Sequence, residues 1–308
     1  MKIIDSKETK NIYISLNYHC NNKCIMCGVP FKKHNAYNEP LEFYIQELKK
    51  IPFPITEKDI ITISGGEPFL FSSIFDFIEY IRYNYKCKIT IFTNGRMLKN
   101  KDYVKKLQKY KIDRLIIPFF SYDEATYDLI AGAKGAYQEW KLALCNLEKE
   151  SLYYELKFLP MKQNYLHILD SYIFSKKFFP KSKFTICGVQ YFGQAVINVG
   201  MMGIKYSDLV ESIELTLEYA LKSFGEFIPV YRFPMCLLDA KYNNHGIITL
   251  SKEYLIGPDY SDIYTNGNKG KKIKIPSACE ACASFCDWYS VKYESIYGLN
   301  ELNPITTV

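Results

Sequence analysis

Cys20-Asn21-Asn22-Lys23-Cys24-Ile25-Met26-Cys27 sets three thiols four and three residues apart, directly after an apolar run. Soft thiolates select iron–sulfur or zinc over hard cations. At this spacing one short loop can wrap one face of a cubane cluster, ligating three irons and leaving the fourth open. A closed zinc site would want a fourth local ligand. His19 adjoins Cys20 too closely to reach the same metal easily, and His34 is the other nearby imidazole. Without a metal, three thiols in a loop would oxidise. A cluster is the expected occupant.

Ser64-Gly65-Gly66-Glu67-Pro68 closes a second apolar run. The paired glycines let backbone approach a ligand closely, and Pro68 fixes the turn while removing a donor. Glu67 is then an acceptor at the mouth, suited to an ammonium group. Taken alone, the motif is an ordinary strand-to-helix turn. A second thiol constellation comes late: Cys236, then Cys279-x2-Cys282-x3-Cys286. Four such cysteines can close a tetrahedral zinc or hold a second cluster, and either would tie down the segment that carries them. Cys87, Cys145 and Cys187 stand alone among the ten cysteines.

The elements that must position these residues alternate. Period-two or buried apolar runs at 12–17, 60–64, 88–93, 114–120, 154–159 and 184–189 read as strands. Amphipathic stretches at 41–50, 74–81, 102–110, 138–147, 168–177 and 207–224 read as helices between and after them. Strict alternation implies a parallel sheet, because parallel neighbours need a crossover helix. Function then collects in the loops after the strands' C-terminal ends. After about Tyr231 the pattern breaks down; Gly, Asn, Asp and Tyr dominate 241–270 and no helical period survives. The expected division is 1–228 for the α/β unit and 229–308 for an irregular, cysteine-rich extension.

Bulk properties set bounds. With 308 residues, 48% hydrophobic and 16% aromatic, the chain can bury a sizeable core. No apolar run reaches the roughly 18 residues of a membrane span, and the first residues lack a signal-peptide layout, so a cytoplasmic protein is expected. The net charge of +6 invites a nucleic-acid reading. The lysines are spread out, however, with Lys269, Lys271, Lys272 and Lys274 the densest group, and arginine is scarce. A solvated face explains the charge better than nucleic acid.

The Cys-x3-Cys-x2-Cys loop after the first strand, with Gly-Gly-Glu-Pro after the second, resembles the radical S-adenosylmethionine (SAM) superfamily over about residues 10–225. Met26 stands where many members carry an aromatic residue. The resemblance implies a partial six-stranded (β/α) barrel. It implies that Cys20, Cys24 and Cys27 hold a [4Fe-4S] cluster whose open iron binds the amino and carboxylate groups of SAM. The loop Gly65, Gly66, Glu67 and Pro68 would contact the SAM amino group. Reduction of the sulfonium would give methionine and a 5′-deoxyadenosyl radical that takes hydrogen from substrate. By position, Thr93 and Asn94 resemble the family's Thr-Asn-Gly turn, and Ser121 lies where relatives use a hydroxyl on SAM. Asn164, beside Gln163, and Gln190 lie where the adenine is usually found.

The tail is similar to the auxiliary-cluster (SPASM or twitch) extensions of peptide-modifying members, those associated with His-Xaa-Ser peptides above all. Phe119-Phe120-Ser121, Gly135-Ala136-Tyr137, Gly193-Gln194-Ala195 and Met235-Cys236-Leu237-Leu238-Asp239 carry that likeness, and Tyr293 and Tyr297-Gly298-Leu299-Asn300-Glu301-Leu302 echo the usual ending. The final spacing of three residues is shorter than in those tails, so Cys236 is taken as the fourth ligand beside Cys279, Cys282 and Cys286. The expected occupant is a second iron–sulfur cluster, with zinc as the alternative.

Together these readings imply an oxidoreductase that matures a ribosomally made peptide by cross-linking, epimerisation or oxidation. A small-molecule substrate such as a nucleoside or sugar is the rival, and a non-enzymatic metal-binding module is the other. Cys187 sits on the sixth strand near the expected active-site mouth, and in some peptide epimerases of the superfamily a free cysteine donates the hydrogen atom that quenches the substrate radical; a buried small hydrophobe is the plainer reading. An electron donor such as flavodoxin or ferredoxin is implied. The 19 residues before Cys20 are too few for a fused leader-binding domain of the kind some maturases carry, so leader recognition is expected to need a separate leader-peptide-binding protein or a different surface.

Overall fold

The computed structural model describes residues 2–4, 9–29, 39–249, 252–257, 264–265, 276–280, 282, 286 and 291–305. His34 and the lysine group at 269–274 lie outside them. The first half runs β1 (Lys2–Ile4), β2 (Lys10–Ser15), α1 (Leu41–Lys49), β3 (Ile60–Ser64), α2 (Ile74–Asn84), β4 (Lys88–Phe92), α3 (Lys101–Lys109) and β5 (Arg114–Phe119). Next come α4 (Glu124–Ala131), α5 (Ala136–Leu147), β6 (Tyr154–Phe158), α6 (Ile168–Phe178), β7 (Lys183–Cys187), α7 (Gln194–Ile197), α8 (Val199–Met202) and α9 (Val210–Phe224). The last described elements are β8 (Val230–Tyr231), β9 (Gly246–Thr249), β10 (Lys252–Ile256), β11 (Tyr264–Thr265) and α10 (Val291–Tyr297).

The six expected strands are β2 to β7, side by side in chain order and all parallel. The fold is therefore the parallel α/β sheet the sequence pattern calls for, which could have been doubly wound or a barrel, in the partial-barrel form that the resemblance implies. Its pleat sorts side chains cleanly. Ile12, Ile14, Ile61, Ile63, Ile89, Ile91, Leu115, Ile117, Leu156 and Phe158 are all 0% exposed and form the core. The alternate positions build a polar inner face. There Thr62 donates to Asn11 (2.8 Å), Thr185 donates to Glu155 (2.9 Å), and Arg114 pairs with Glu155. That face opens at the strands' C-terminal ends into the cavity described below.

Beyond residue 228 the structure differs from the irregular chain expected. Among the described residues β8 and β9 extend the sheet past β7, while β10 pairs with β2 at the other end of the row. Only residues 250 and 251 separate β9 from β10 in the chain. Three Cα–Cα steps of about 3.8 Å span at most ~11 Å, so the two ends of the row approach each other. The strands escaped detection because each is two to five residues long. Pairs such as Ile247-Ile248 and Leu255-Ile256 are too brief to show a period; the waiting edges of β8 and β2 supply the pairing. Helices α4 and α10 were likewise unforeseen.

Candidate functional site

The thiol loop leaves β2 at its C-terminal end, and three separate elements grip it. From the β4 side, Arg96 donates to the Asn21 carbonyl and to Asn22 Oδ1 (2.8 Å), while its Nε is paired with Glu139 on α5 (2.6 Å). Asn94 donates to Asn21 Oδ1 (2.6 Å) and reaches Cys20 Sγ at 3.8 Å. From α4, the carbonyls of Ile130 and Ala131 accept from Ile25 N–H (3.0 Å) and Lys23 N–H (2.9 Å). From beyond β7, Gln194 N–H donates to Cys27 O (2.8 Å) and Asn198 donates to Ile25 O (2.8 Å). Arg96, Glu139 and Asn198 were not foreseen. Nothing in local sequence marks them, because each acts across more than 40 residues.

Gly65 and Gly66 pack against the stem of that loop. Gly65 has φ 124°, and a Cβ there would run into the Asn17 carbonyl; one on Gly66 would run into that of His19. Gly66 and Glu67 N–H groups donate to those carbonyls, Asn17 O and His19 O. The close approach read from the paired glycines is thus to the chain itself. Pro68 opens a short 3-10 turn, Pro68–Leu70. Glu67 is not at the surface of a mouth: it is 0% exposed. Oε1 accepts from Thr93 Oγ1 (2.7 Å) and Phe69 N–H (3.1 Å), and Oε2 from Asn94 N–H (2.7 Å). Burial pushes its carboxyl up to about 7, against those donors and the Arg96 charge. The residue is a stitch between the loops after β3 and β4.

Ser121 and Asn164 are also inward. Ser121 is 0% exposed and its Oγ accepts from Asp123 N–H (3.0 Å). Asn164 spends its amide on Phe120 O (2.7 Å), Leu159 O (3.0 Å) and Met161 N–H (2.7 Å). These two shape the loops after β5 and β6. Gln163 donates to Met201 O (3.0 Å). His245 is a buried core residue, stacked on Phe227 at 4.2 Å with Nδ1 2.9 Å from Ile228 O.

A cavity of about 710 Å³ opens beside the thiol loop, with Cys27, Gly28, Ser64 and Gly65 on one wall and Cys187, Gly188 and Gln190 on another. Cys187 is 7% exposed and its thiol points to Gly188 O at 3.7 Å. The charged residues on the lining are Lys157 and Arg232. Lys157 rests on the rings of Phe92 and Tyr231, 5.1 and 5.2 Å from their centroids. Arg232 holds φ 50°, a left-handed conformation unusual for a side chain of its size.

The donor set suits a thiophilic cluster. None of the ten cysteines is in a disulfide. Cys20 is pushed up to about 11, and Cys24 and Cys27 are also raised, in each case chiefly by burial. Cys24 and Cys20 are raised further by the neighbouring thiols of the trio. Among the described residues no three ligating side chains already stand at metal-binding distance from one point; thiols would converge on a cation that displaces their protons to solvent.

The late cysteines lie within electrostatic reach of one another, short of metal-binding distance. Ionisation of Cys236 is opposed by burial and then by Cys279 and Cys282; that of Cys286, pushed up to about 12, by burial and then by Cys236, Cys282 and Cys279. The chain after it docks beside the cavity: Tyr293 stacks on Tyr206 at 4.4 Å and accepts from Tyr206 N–H (2.8 Å).

The first core strand thus feeds a three-thiol loop beside a cavity at the strands' C-terminal ends, an arrangement able to hold a thiolate-bound group next to a ligand. The family model of the radical SAM superfamily matches residues 14–152 of this chain. The chain is 30% identical over 125 residues to a probable GTP 3',8-cyclase of Thermoplasma volcanium, covering 40% of this chain and 36% of that protein. It is 32% identical over 139 residues to a probable GTP 3',8-cyclase of Methanococcus aeolicus, 43% of this chain and 44% of that one. The match thus spans less than half the length of these relatives. In fold it is similar to Streptococcus suis SuiB bound to precursor peptide SuiA, with TM-score 0.56 and 18% identity over 69% of this chain and 46% of that chain. It is similar also to native anSMEcpe with bound AdoMet and Cp18Cys peptide, with TM-score 0.56 and 17% identity over 72% and 63%.

Proposed function

We propose that this chain binds a [4Fe-4S] cluster through Cys20, Cys24 and Cys27, cleaves SAM reductively there, and takes hydrogen from a peptide in the cavity. The observation that carries this is the meeting of three free thiols, gripped from three sides, with a cavity that Cys27 and Gly65 help to line. A bound cluster supplies the electron that breaks the sulfonium of SAM. The protein's own part is to hold the loop, shape the cavity and keep water from it. Gly65 to Pro68, Thr93 and Asn94 fix the loops around the SAM position; Gln190 lines the cavity, and Ser121 and Asn164 set its neighbouring loops. Cys187 is placed to return a hydrogen atom to a substrate radical from the β7 side.

Peptide is favoured because the structures of like fold include two solved with peptides. Residues 229–308 form the auxiliary extension in this reading. Cys236, Cys279, Cys282 and Cys286 hold a second iron–sulfur cluster, with flavodoxin or ferredoxin as electron source and a separate protein for leader recognition. A second reading has its own support. Lys157 and Arg232 face the cavity with no carboxylate among its lining residues, which suits an anionic small molecule, and the curated relatives are named for GTP.

Anaerobic reconstitution tests both readings. About eight irons per chain are expected if both sites carry four-iron clusters; about four with zinc overturns the second cluster. Reduced protein should release 5′-deoxyadenosine from SAM, and Cys24→Ala should not. Peptide and GTP offered in parallel decide the substrate by product mass. Cys187→Ala should spare SAM cleavage while stopping product release; unchanged product dismisses the donor role.

A further inference from the structure

Tyr127 stands on α4 one turn before Ile130 and Ala131, whose carbonyls bind the N–H groups on either side of Cys24. Residues three and four apart share a helix face, and Tyr127, Ile130 and Ala131 are all 0% exposed. The Cys24 turn therefore caps the C-terminal end of α4, one turn beyond Tyr127. The approach is close: Gly132, which caps α4 at φ 60°, has no room for a Cβ against the Lys23 carbonyl.

The ring is locked. Its centroid lies 5.1 Å from that of Phe120, 5.7 Å from Tyr137 and 5.0 Å from Trp140. Packing of this kind leaves the hydroxyl one direction in which to point. Yet that hydroxyl has no hydrogen-bond partner among the described residues. Phenylalanine would fill the aromatic nest equally well, and a buried hydroxyl without a partner destabilises. Its electrostatic surroundings point to one side: after burial, the nearby Cys24 opposes its ionisation most, and the Arg96 charge favours it. The unpartnered donor and the Cys24 turn thus both belong to the C-terminal end of α4.

We infer that the Tyr127 hydroxyl is a hydrogen-bond donor to the corner of the bound cluster that Cys24 holds, either the Cys24 sulfur or the sulfide beside it. The inference rests on the cluster reading above. A donor aimed at cluster sulfur stabilises the reduced, more negative state and so raises the reduction potential. Tyr127 thus tunes the electron that SAM receives and is a positioning and tuning residue, without contact to substrate.

The test is redox titration of reconstituted Tyr127→Phe, followed by the electron paramagnetic resonance signal of the reduced N-terminal cluster in protein whose quartet is replaced by alanine. The variant should load as much iron as its parent and show a more negative midpoint, with reduction disfavoured several-fold; tenfold corresponds to 59 mV for one electron. An unchanged midpoint and signal at full iron content overturns the inference. Failure of the parent itself to take up iron overturns the cluster reading instead. If Tyr127→Phe does not load, 3-fluorotyrosine at position 127 keeps the ring and strengthens the donor. The midpoint should then rise, and no change overturns the inference.

Discussion

Glu67 and Gly66 show how single residues hold this site. The Glu67 carboxyl is raised from 4.5 to about 7 because burial outweighs its three donors. The folded state therefore binds the proton more tightly than the unfolded state. This contribution to stability is full below about pH 4.5, declines as pH rises through about 7, and is constant above that. Glu67→Gln should remove that decline, leaving a melting temperature flatter between pH 4.5 and 7 than that of the parent. It should also cost about 1–3 kcal/mol throughout, since one amide hydrogen then faces a donor such as Asn94 N–H. Thermal melts across that range check both. Gly66→Ala should cost at least as much, about 1–3 kcal/mol for overpacking, because its Cβ meets the rigid His19 carbonyl. Iron uptake should fall with it. Gly225→Ala is the control: that φ of 63° is strained but nothing lies within 4 Å of the new methyl.

At the scale of elements, the thiol loop is a strap pinned by α4, by the Arg96 turn and by the chain after β7. Arg96 ties the strap to α5 as well, and its pair with Glu139 is half-shielded, with side chains 12% and 29% exposed. Arg96→Ala should therefore release the Asn21–Asn22 end of the strap and lower iron retention during gel filtration. Lysine has no planar fork to serve Glu139 and both asparagines together, so Arg96→Lys should recover only part of the loss. Full recovery by lysine would mean that charge alone matters there. The N-terminal strap was legible in the sequence because its thiols are three and four residues apart. Its pins were not, since hydrogen bonds from residues 94, 96, 130, 131 and 198 depend on how the helices pack.

For the whole molecule, the region after residue 228 has two attachments. Strands β9 and β10 lengthen the sheet at both ends, and the tyrosines of α10 dock on the loop after β7 through Tyr191 and Tyr206. In the proposed reading a metal held by Cys236, Cys279, Cys282 and Cys286 would join the two. Stripping metal from that quartet should loosen what it ties and leave the core intact. Hydrogen exchange after chelation should rise at 276–286 and 291–305, with β3 to β6 unchanged. Faster exchange in β3 to β6 would show that the quartet supports the whole barrel. No helix among the described residues is long and apolar enough to cross a membrane.

The sequence alone determined what repeats or clusters along the chain. Six apolar runs spaced by amphipathic helices dictate parallel strands, because period and crossover length are local properties. Three cysteines within eight residues mark a candidate metal loop for the same reason. Tertiary structure decided what depends on distant partners: that Glu67 turns inward to stitch two loops, and that brief runs near 247 and 255 become strands at waiting edges. It also decided that Lys157 and Arg232 share one cavity and that the Tyr127 hydroxyl is buried without a hydrogen-bond partner among the described residues. Such placements arise from packing between residues tens to hundreds of positions apart, and no local pattern encodes them.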